Sequence, residues 1–482
     1  MKSKKPIKSA NKIKYTSVGA DALAARGFSP SSGFWANFIK RNWGRKPLVI
    51  KNPFSVPMST TEESFLALRT AWDKFEQAGA QVQWKFYKGD DGFMLEGYKI
   101  SGYVPSTSDQ SLDDYAKRID TKLNGERFGL VLHDLQAYHP QFYLRLREFL
   151  SGLATQVRAR WRAMPGLFVG NYEQTPFGIH QDPANVFAFV IEGRRRIYLW
   201  PEGYFRDSFD RVRASDFAKL RRDATILEGE PGDVLYWPGR YWHVGESLDD
   251  LAIGISVALV PVQLSSFIVG AINNHIGEFL HPTLTTDGGF PHAATDVEES
   301  PEMIAAAVKR AAKLLKRTRD DFDFIQSVQV SWLDYMSGGG SEPSPPPLPL
   351  ETLDDNCLIG GTPEIPIVWI TSDNQIVCSV NGNSILLPAA PAIIGLLTEL
   401  NGGATLRVRD LIKKYTGASR RNGVQFKTTK DGLRFLLSKL YSLRAINLRN
   451  RCSSSQHVVT SMGKSRAHAF RRAAFQRTKP AR

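Results

Sequence analysis

At 482 residues the chain is too long for one ordinary domain, and two or three are expected. Its 42% hydrophobic and 23% charged residues are ordinary globular values and exclude a fibrous or wholly disordered chain. The net charge of +14 reads as a nucleic-acid signal until it is located: residues 1–16 hold six lysines, residues 449–482 hold nine Lys or Arg, and neither tail has an acid, so the body between them carries −1. Basic tails on a near-neutral body favour weak contact with RNA, ribosomes or acidic surfaces over a dedicated groove, and solvated tails without a partner fit equally well. Three cysteines (Cys357, Cys378 and Cys452) with no CxxC pair argue against a disulfide framework or a Cys-based zinc site. They fit a reducing, cytoplasmic setting. The Lys-rich N-terminus has no apolar h-region, so it is not read as a secretory signal. No apolar run approaches the ~20 residues of a membrane span; the best, Ile385 to Leu397, is broken by Pro388 and Pro391.

Along the chain, residues 1–18 read as a basic disordered tail. Aromatic punctuation from Phe34 predicts a helix ending near Trp43, then a strand at Leu48–Ile50. Thr60 to Gly79 is helical, with Thr60 or Thr61 as cap, Glu62 and Glu63 in the first turn, and Phe65, Leu68, Trp72 and Phe75 at helical spacing. Leu112–Leu123 and Pro140–Met164 are further helices, with a short strand at Leu130–Leu132 between them. From Gly166 to Pro261 short apolar runs alternate with Gly, Pro and Asp, at Leu167–Val169, Val186–Ile191, Arg195–Trp200, Thr225–Leu227, Val234–Trp237, His243–Val244 and Ala252–Val260. That spacing predicts a compact antiparallel barrel or jelly roll. Helix returns over 262–336, including Met303–Leu315, and 337–355 is a Pro/Gly/Ser-rich linker. After it, strands at Ile367–Ile370 and Ile376–Val380 and helices at Ala390–Leu400, Val408–Tyr415 and Thr429–Ser442 suggest a winged-helix-like module over 356–448. Residues 449–482 form the second basic tail. The fold class is multidomain α+β: a double-stranded β-helix core over 19–261, a helical segment over 262–336 offering a dimerisation surface, and the C-terminal module.

The chemistry centres on His180, Asp182 and His243. Residues at i and i+2 of a strand project from one face, so His180 and Asp182 share a side, and His243 reaches them from another strand of a closed sheet. Two imidazoles and one carboxylate leave half of a metal's coordination sphere open, which is the facial set of non-haem Fe(II) oxygenases. A lone HxD triplet is weak evidence, but two features add to it. Pro231-Gly232-Asp233 precedes strand Val234–Trp237, and Pro238-Gly239 precedes Trp242-His243, a turn pattern suited to placing a ligand at a barrel mouth. In Arg194-Arg195-Arg196, Arg195 shares a face with Ile197 and Leu199, so it points inward if that face is the interior; a slip of one residue would leave all three solvated. A buried guanidinium needs an anion, and a dicarboxylate cosubstrate could supply one.

Phe177-Gly178-Ile179-His180-Gln181-Asp182, Gly193-Arg194-Arg195-Arg196 and Pro231 through His243, with the Trp43 to Ile50 entry segment, resemble the JmjC-type, cupin-like 2-oxoglutarate oxygenases, especially the ribosomal-oxygenase group. The resemblance covers about residues 30–450 in arrangement, and its specific motifs fall mostly within 177–243. It implies that His180, Asp182 and His243 bind Fe(II), that Arg195 holds the distal carboxylate of 2-oxoglutarate, and that O2 is the second cosubstrate. Many JmjC proteins use Lys at that position; Arg occurs in the bacterial ribosomal oxygenases. Asn185, Thr175 and Ser256 are weaker candidates for polar contacts to the cosubstrate, each with an ordinary barrel role as the alternative. His133, His139 and His292 have no partner spacing and default to structural or solvated roles. Trp237, Tyr241 and Trp242 could line a substrate groove or belong to the core or rim. The implied function is hydroxylation of a protein or peptide side chain, with a ribosomal protein among the candidate substrates. A variant is a hydroxylase of a ribosomally made precursor peptide, with the winged-helix-like end recruiting it. The competing class is a nucleic-acid-binding regulator with a cupin-like sensor. A demethylase is disfavoured by the lack of a recognisable histone-reader domain, and a metal-dependent isomerase or non-catalytic cupin by the inward arginine.

Overall fold

The computed structural model describes residues 17–18, 27–78, 82–89, 93–157, 160–175, 178–205, 217, 219–263, 265–270, 272, 322–341, 343–372 and 374–449. Two compact units divide the chain. The first comprises residues up to Val262 together with Ser341–Pro345; the second takes Gln263–Gly340 and the chain from Pro346 onward.

The first unit runs β1 (Ser17–Val18), α1 (Ser32–Arg41), β2 (Leu48–Ile50), α2 (Thr61–Ala78), β3 (Trp84–Lys88), β4 (Phe93–Glu96), α3 (Leu112–Leu123), β5 (Phe128–His133), α4 (Pro140–Gln156), β6 (Trp161–Gly170), β7 (His180–Gln181), β8 (Asn185–Glu192), β9 (Arg195–Trp200), β10 (Thr225–Gly229), β11 (Val234–Trp237), β12 (Trp242–Ser247) and β13 (Ala252–Pro261). A nine-stranded sheet has the order β1-β2-β11-β8-β13-β6-β5-β3-β4, and a four-stranded sheet the order β10-β9-β12-β7. Val186, Ala188 and Val190 of β8 and Leu235 of β11 pack against Ile197, Leu199 and Leu227 of the smaller sheet, closing the barrel-like core. The opposite parity of β8, Phe187 and Phe189, faces a second core built on the helices. There Trp35 of α1 and Phe149 of α4 meet edge to face with ring centroids 5.3 Å apart. Alternation along one strand thus feeds two cores.

Local chemistry sets the ends of these elements. The Ser31 and Ser111 hydroxyls accept from the backbone N–H groups of Phe34 and Asp114 to start α1 and α3. Asn124 stops α3 in the left-handed region at φ 53°. The Pro231-Gly232-Asp233 turn acts as a clamp. Buried Asp233 accepts from the Glu230 and Asn52 N–H groups and from Lys51 Nζ at 2.5 Å, tying the β10–β11 turn to the end of β2.

Several expectations need correction. The helix read as Pro140–Met164 ends at Gln156, and Trp161 to Met164 begin β6. Trp161 and Ala163 are buried while Arg162 and Met164 are exposed, a period of two that pairs with β13 over ten residues. Strands β3 and β4 have no counterpart in the sequence reading; they extend the large sheet beyond β5. Against the cysteine argument, Cys357 is disulfide-bonded, while Cys378 is free and buried. The expected Met303–Leu315 helix, His292 and both basic tails lie outside the described residues.

In the second unit, α5 (Phe322–Ser337) carries Asp334 and Ser337, which hydrogen-bond Ser384 and Ser379 of an antiparallel sheet. Strand β14 (Leu358–Gly361) precedes that sheet, which is made of β15 (Val368–Ser372), β16 (Gln375–Val380) and β17 (Asn383–Pro388). Then come α6 (Pro391–Asn401), β18 (Leu406–Arg407), α7 (Val408–Tyr415), the hairpin β19 (Gly417–Arg421) and β20 (Val424–Thr428), α8 (Lys430–Ser442) and β21 (Ile446–Leu448), with β14 central between β18 and β21. No helix among the described residues is long and apolar enough to cross a membrane.

His139 is structural. Its Nδ1 accepts from the Phe142 N–H as the cap of α4, and its Nε2 meets Ser59 Oγ at 2.9 Å. Burial pushes its pKa down to about 4, opposed by the Glu63 carboxylate and assisted by Arg145. An unfolded histidine takes up its proton near 6.5, so the unfolded state binds more protons between that value and 4, and stability falls as pH drops through this window. The expected loss from this group is about 3 kcal/mol. His139→Asn, which keeps a capping side chain but does not titrate, should lose that part of the slope in urea unfolding measured from pH 7 to pH 4.

Candidate metal centre

His180 and His243 are directly opposed residues of β7 and β12. Their ring centroids lie 4.1 Å apart, and Asp182 follows two residues after His180. His180 Nε2 is 3.6 Å and His243 Nε2 3.7 Å from the same oxygen, Asp182 Oδ2. One ligand atom from each of the three residues lies within 4.8 Å of the others. Both tautomers are fixed by the backbone. His180 Nδ1 contacts the Gly178 carbonyl at 3.0 Å and His243 Nδ1 the Tyr241 carbonyl at 3.2 Å. A carbonyl only accepts, so Nδ1 carries a proton in both rings, and Nε2 is the atom left to meet a metal.

Two turns hold this arrangement. Gly178 adopts φ 70°, and its N–H donates to the Thr175 carbonyl at 2.8 Å, which swings the chain into β7. The Arg240 N–H, in the β11–β12 turn, donates to the Asp182 carbonyl at 2.9 Å. Burial works against ionisation of Asp182, but the His180 hydrogen bond and the two imidazoles hold its pKa below the ordinary carboxylate value. Burial, with His180 adding to it, drives the His243 pKa down, so that ring is neutral at pH 7. An anionic carboxylate and a neutral imidazole are the states a divalent metal requires.

The triad opens into a 510 Å³ cavity. Arg195 lines it and is 3% exposed. Its Nη2 donates to the Tyr172 hydroxyl at 2.6 Å and its guanidinium lies 5.5 Å over the Phe168 ring, while Nη1 is buried without a hydrogen-bond partner. The flanking arginines point outward, Arg194 to Asp249 and Arg196 to Glu228 and Glu246. Thr175 and Ser256 line the same cavity, and Thr175 Oγ1 accepts from the Gly245 N–H. Asn185 does not. It sits on the helix-facing parity of β8, where its Oδ1 accepts from the Tyr236 hydroxyl at 2.8 Å. Trp237 lines the cavity with its ring 5.2 Å from His243. Tyr241 and Trp242 are not among the lining residues; Trp242 packs on Phe205. His133, read as structural or solvated, is a lining residue.

Sequence reasoning missed Tyr172, Gly245 and Gly254. A Cβ on Gly254 would fall 2.0 Å from Arg195 Nη1 and 2.8 Å from its Cδ, at the irregularity where β13 shifts register against β8. A Cβ on Gly245 would lie 3.9 Å from Arg195 Nη2. A lone glycine inside an apolar strand, as in Ile253-Gly254-Ile255, is the signal that was available.

The fold and the site define a cupin-like barrel with a two-histidine, one-carboxylate facial set, open on one side. Residues 149–266 match the model of the JmjC domain family. Ribosomal protein uL16 3-hydroxylase of Escherichia coli (strain K12) is 22% identical over 273 residues, 56% of this chain and 64% of that protein. HSPB1-associated protein 1 of Mus musculus is 25% identical over 231 residues, 46% of this chain and 41% of that protein. The chain thus spans less than two thirds of either relative's length. Solved structures of YcfD, described as a ribosomal oxygenase from Escherichia coli, are similar at low identity. The complex with cobalt and succinic acid is 18% identical with a TM-score of 0.46, covering 86% of this chain and 98% of that one. The complex with cobalt and 2-oxoglutarate gives 16% and 0.44 with the same coverage.

Gly254→Ala should displace Arg195 while leaving all three triad side chains in place. A charge-assisted hydrogen bond to a buried guanidinium contributes roughly 1.5–3 kcal/mol, so affinity for a dicarboxylate should fall at least about tenfold. Thermal-shift titration with 2-oxoglutarate should show this loss, and titration with Co(II) should show metal binding retained.

Proposed function

We propose that this chain is an Fe(II)- and 2-oxoglutarate-dependent oxygenase that hydroxylates a side chain of a protein or peptide. The reading is carried by two features in one cavity: a facial set of two imidazoles and a carboxylate, and a buried guanidinium whose Nη1 has no hydrogen-bond partner. The donor set suits a divalent first-row metal, and the orphaned Nη1 suits a carboxylate. His180 and His243 would hold the metal through Nε2 and Asp182 through a carboxylate oxygen. Arg195, held by Tyr172, would pair with the distal carboxylate of 2-oxoglutarate, with Thr175 and Ser256 beside it. When bound, iron supplies the activation of O2, which the protein alone cannot provide. The balance is 2-oxoglutarate plus O2 plus a substrate C–H going to succinate, CO2 and a C–OH, one oxygen atom entering succinate and the other the hydroxyl. The apolar walls exclude water, and the rigid strands fix the target C–H against the triad.

The name of the Escherichia coli relative makes a ribosomal protein one candidate substrate. We also read the end of the second unit, with its three helices, small strands and β19–β20 hairpin, as winged-helix-like; in the precursor-peptide variant it would recruit the substrate. Dimerisation through 262–336, contact of the basic tails with RNA or acidic surfaces, and a cytoplasmic setting belong to the same reading. The regulator alternative is set aside. The JmjC match and the complete ligand set favour an enzyme, and Lys414 of the basic stretch is paired with Glu399.

Anaerobic addition of Fe(II) and then 2-oxoglutarate should produce a metal-to-ligand charge-transfer band. His180→Ala should abolish it, and Arg195→Ala should raise the 2-oxoglutarate concentration needed at least about tenfold. Folded wild-type protein that binds Fe(II) but gives no band would overturn the assignment.

A further inference from the structure

The outer half of the cavity is built by strands beyond the barrel. On the cavity side of the large sheet, Tyr87 of β3 pairs with Met94 of β4, and His133 of β5 with Gly166 of β6. Met164 of β6 pairs with Ala258 of β13. Met94 and Met164 are 42% and 47% exposed, so two large apolar side chains stand at the lip of a cavity whose inner end is polar. Charge is scarce here. Among the described lining residues Asp182 is the only carboxylate, and it belongs to the triad. The one lysine at the lip, Lys85, lies 3.3 Å from Glu96, its cross-strand partner. Burial and the nearby Lys85 lower the His133 pKa against the opposing Glu96, so this imidazole is neutral at pH 7.

A side chain that presents its C–H to the triad must cross this lip and leave water. An aliphatic or aromatic side chain gains from doing so, by roughly 25 cal/mol per Å² of apolar surface buried. A guanidinium or ammonium would be desolvated with no uncommitted carboxylate among the described lining residues, since Asp182 is held by the histidines, Glu96 beside the lip faces Lys85, and Arg195 adds a like charge. Resting on the oxygenase reading, we propose that the Tyr87, Met94, Met164 and His133 mouth selects an uncharged side chain as the target of oxidation and rejects arginine and lysine.

The test uses the full chain with Fe(II), 2-oxoglutarate and synthetic peptide pools. Each pool has one fixed central residue in randomised flanks, and +16 Da products are located by tandem mass spectrometry. Oxidation at the fixed position is expected in pools with uncharged residues such as Leu, Phe, His or Asn, and at least tenfold less in the Arg and Lys pools. Met164→Glu, which places a carboxylate at the lip, should raise oxidation in the Arg pool at least tenfold. Arg or Lys pools oxidised by the wild type as readily as the Leu pool would overturn the proposal. So would oxidation confined to Asp or Glu, or none in any pool from protein that still releases succinate from 2-oxoglutarate. Protein that gives neither a charge-transfer band nor succinate fails at the oxygenase reading, a separate result.

Discussion

The pairing of β7 with β12 is the constraint on which the site depends. Strand β7 has only two residues, and its partners are Trp242 and His243. A shift of one residue would turn His180 to the opposite face and pull it away from His243. The register is held from both ends. Before β7, the Thr175 N–H donates to the Gly245 carbonyl at 2.7 Å and the Gly245 N–H donates to Thr175 Oγ1, so the chain is already pinned to β12. After it, the Arg240 N–H holds the Asp182 carbonyl. The ligand geometry is thus a property of backbone hydrogen bonds, with the side chains following.

The second organising element is the buried guanidinium. Proteins rarely bury a charge without its counter-charge, and the aromatic face of Phe168 with the Tyr172 hydroxyl compensates only part of the cost. The remainder stays as an open valence at Nη1, inside the cavity that holds the His180, Asp182 and His243 triad. Stability is given up at this point in a way that a bound carboxylate would restore, which is how binding sites and folding requirements come to differ at one residue.

Much of this was legible in the chain. Strands β9 and β11 follow from their β-branched and aromatic runs, and α3 and α7 from apolar spacing and turn residues at their ends. The triad follows from strand periodicity, because i and i+2 share a face whatever the exact strand bounds. What stayed hidden depends on contacts distant in sequence. Strands β3 and β4 are short and mix Lys with aromatics, so only their pairing with β5 and with each other defines them. The helix drawn through Met164 failed because Trp161 to Met164 suits either period until β13 supplies a partner. Asn185, a weaker candidate for cosubstrate contact with an ordinary barrel role as the alternative, is sent to Tyr236 by its parity on β8. Tyr172 has no local signature; its role exists only once β6 and β9 are brought together.

The glycine beside Arg195 carries an evolutionary consequence. Gly254 leaves space that an arginine head fills and a lysine head would not. An ammonium at position 195 would leave part of that space empty, and it lacks the planar fork that reaches a tyrosine hydroxyl and a carboxylate together. Exchange between the two basic residues at this position is therefore coupled to position 254. In a line of descent it should proceed through intermediates that grip their anion poorly, and once a lineage has adopted either solution the other becomes hard to reach.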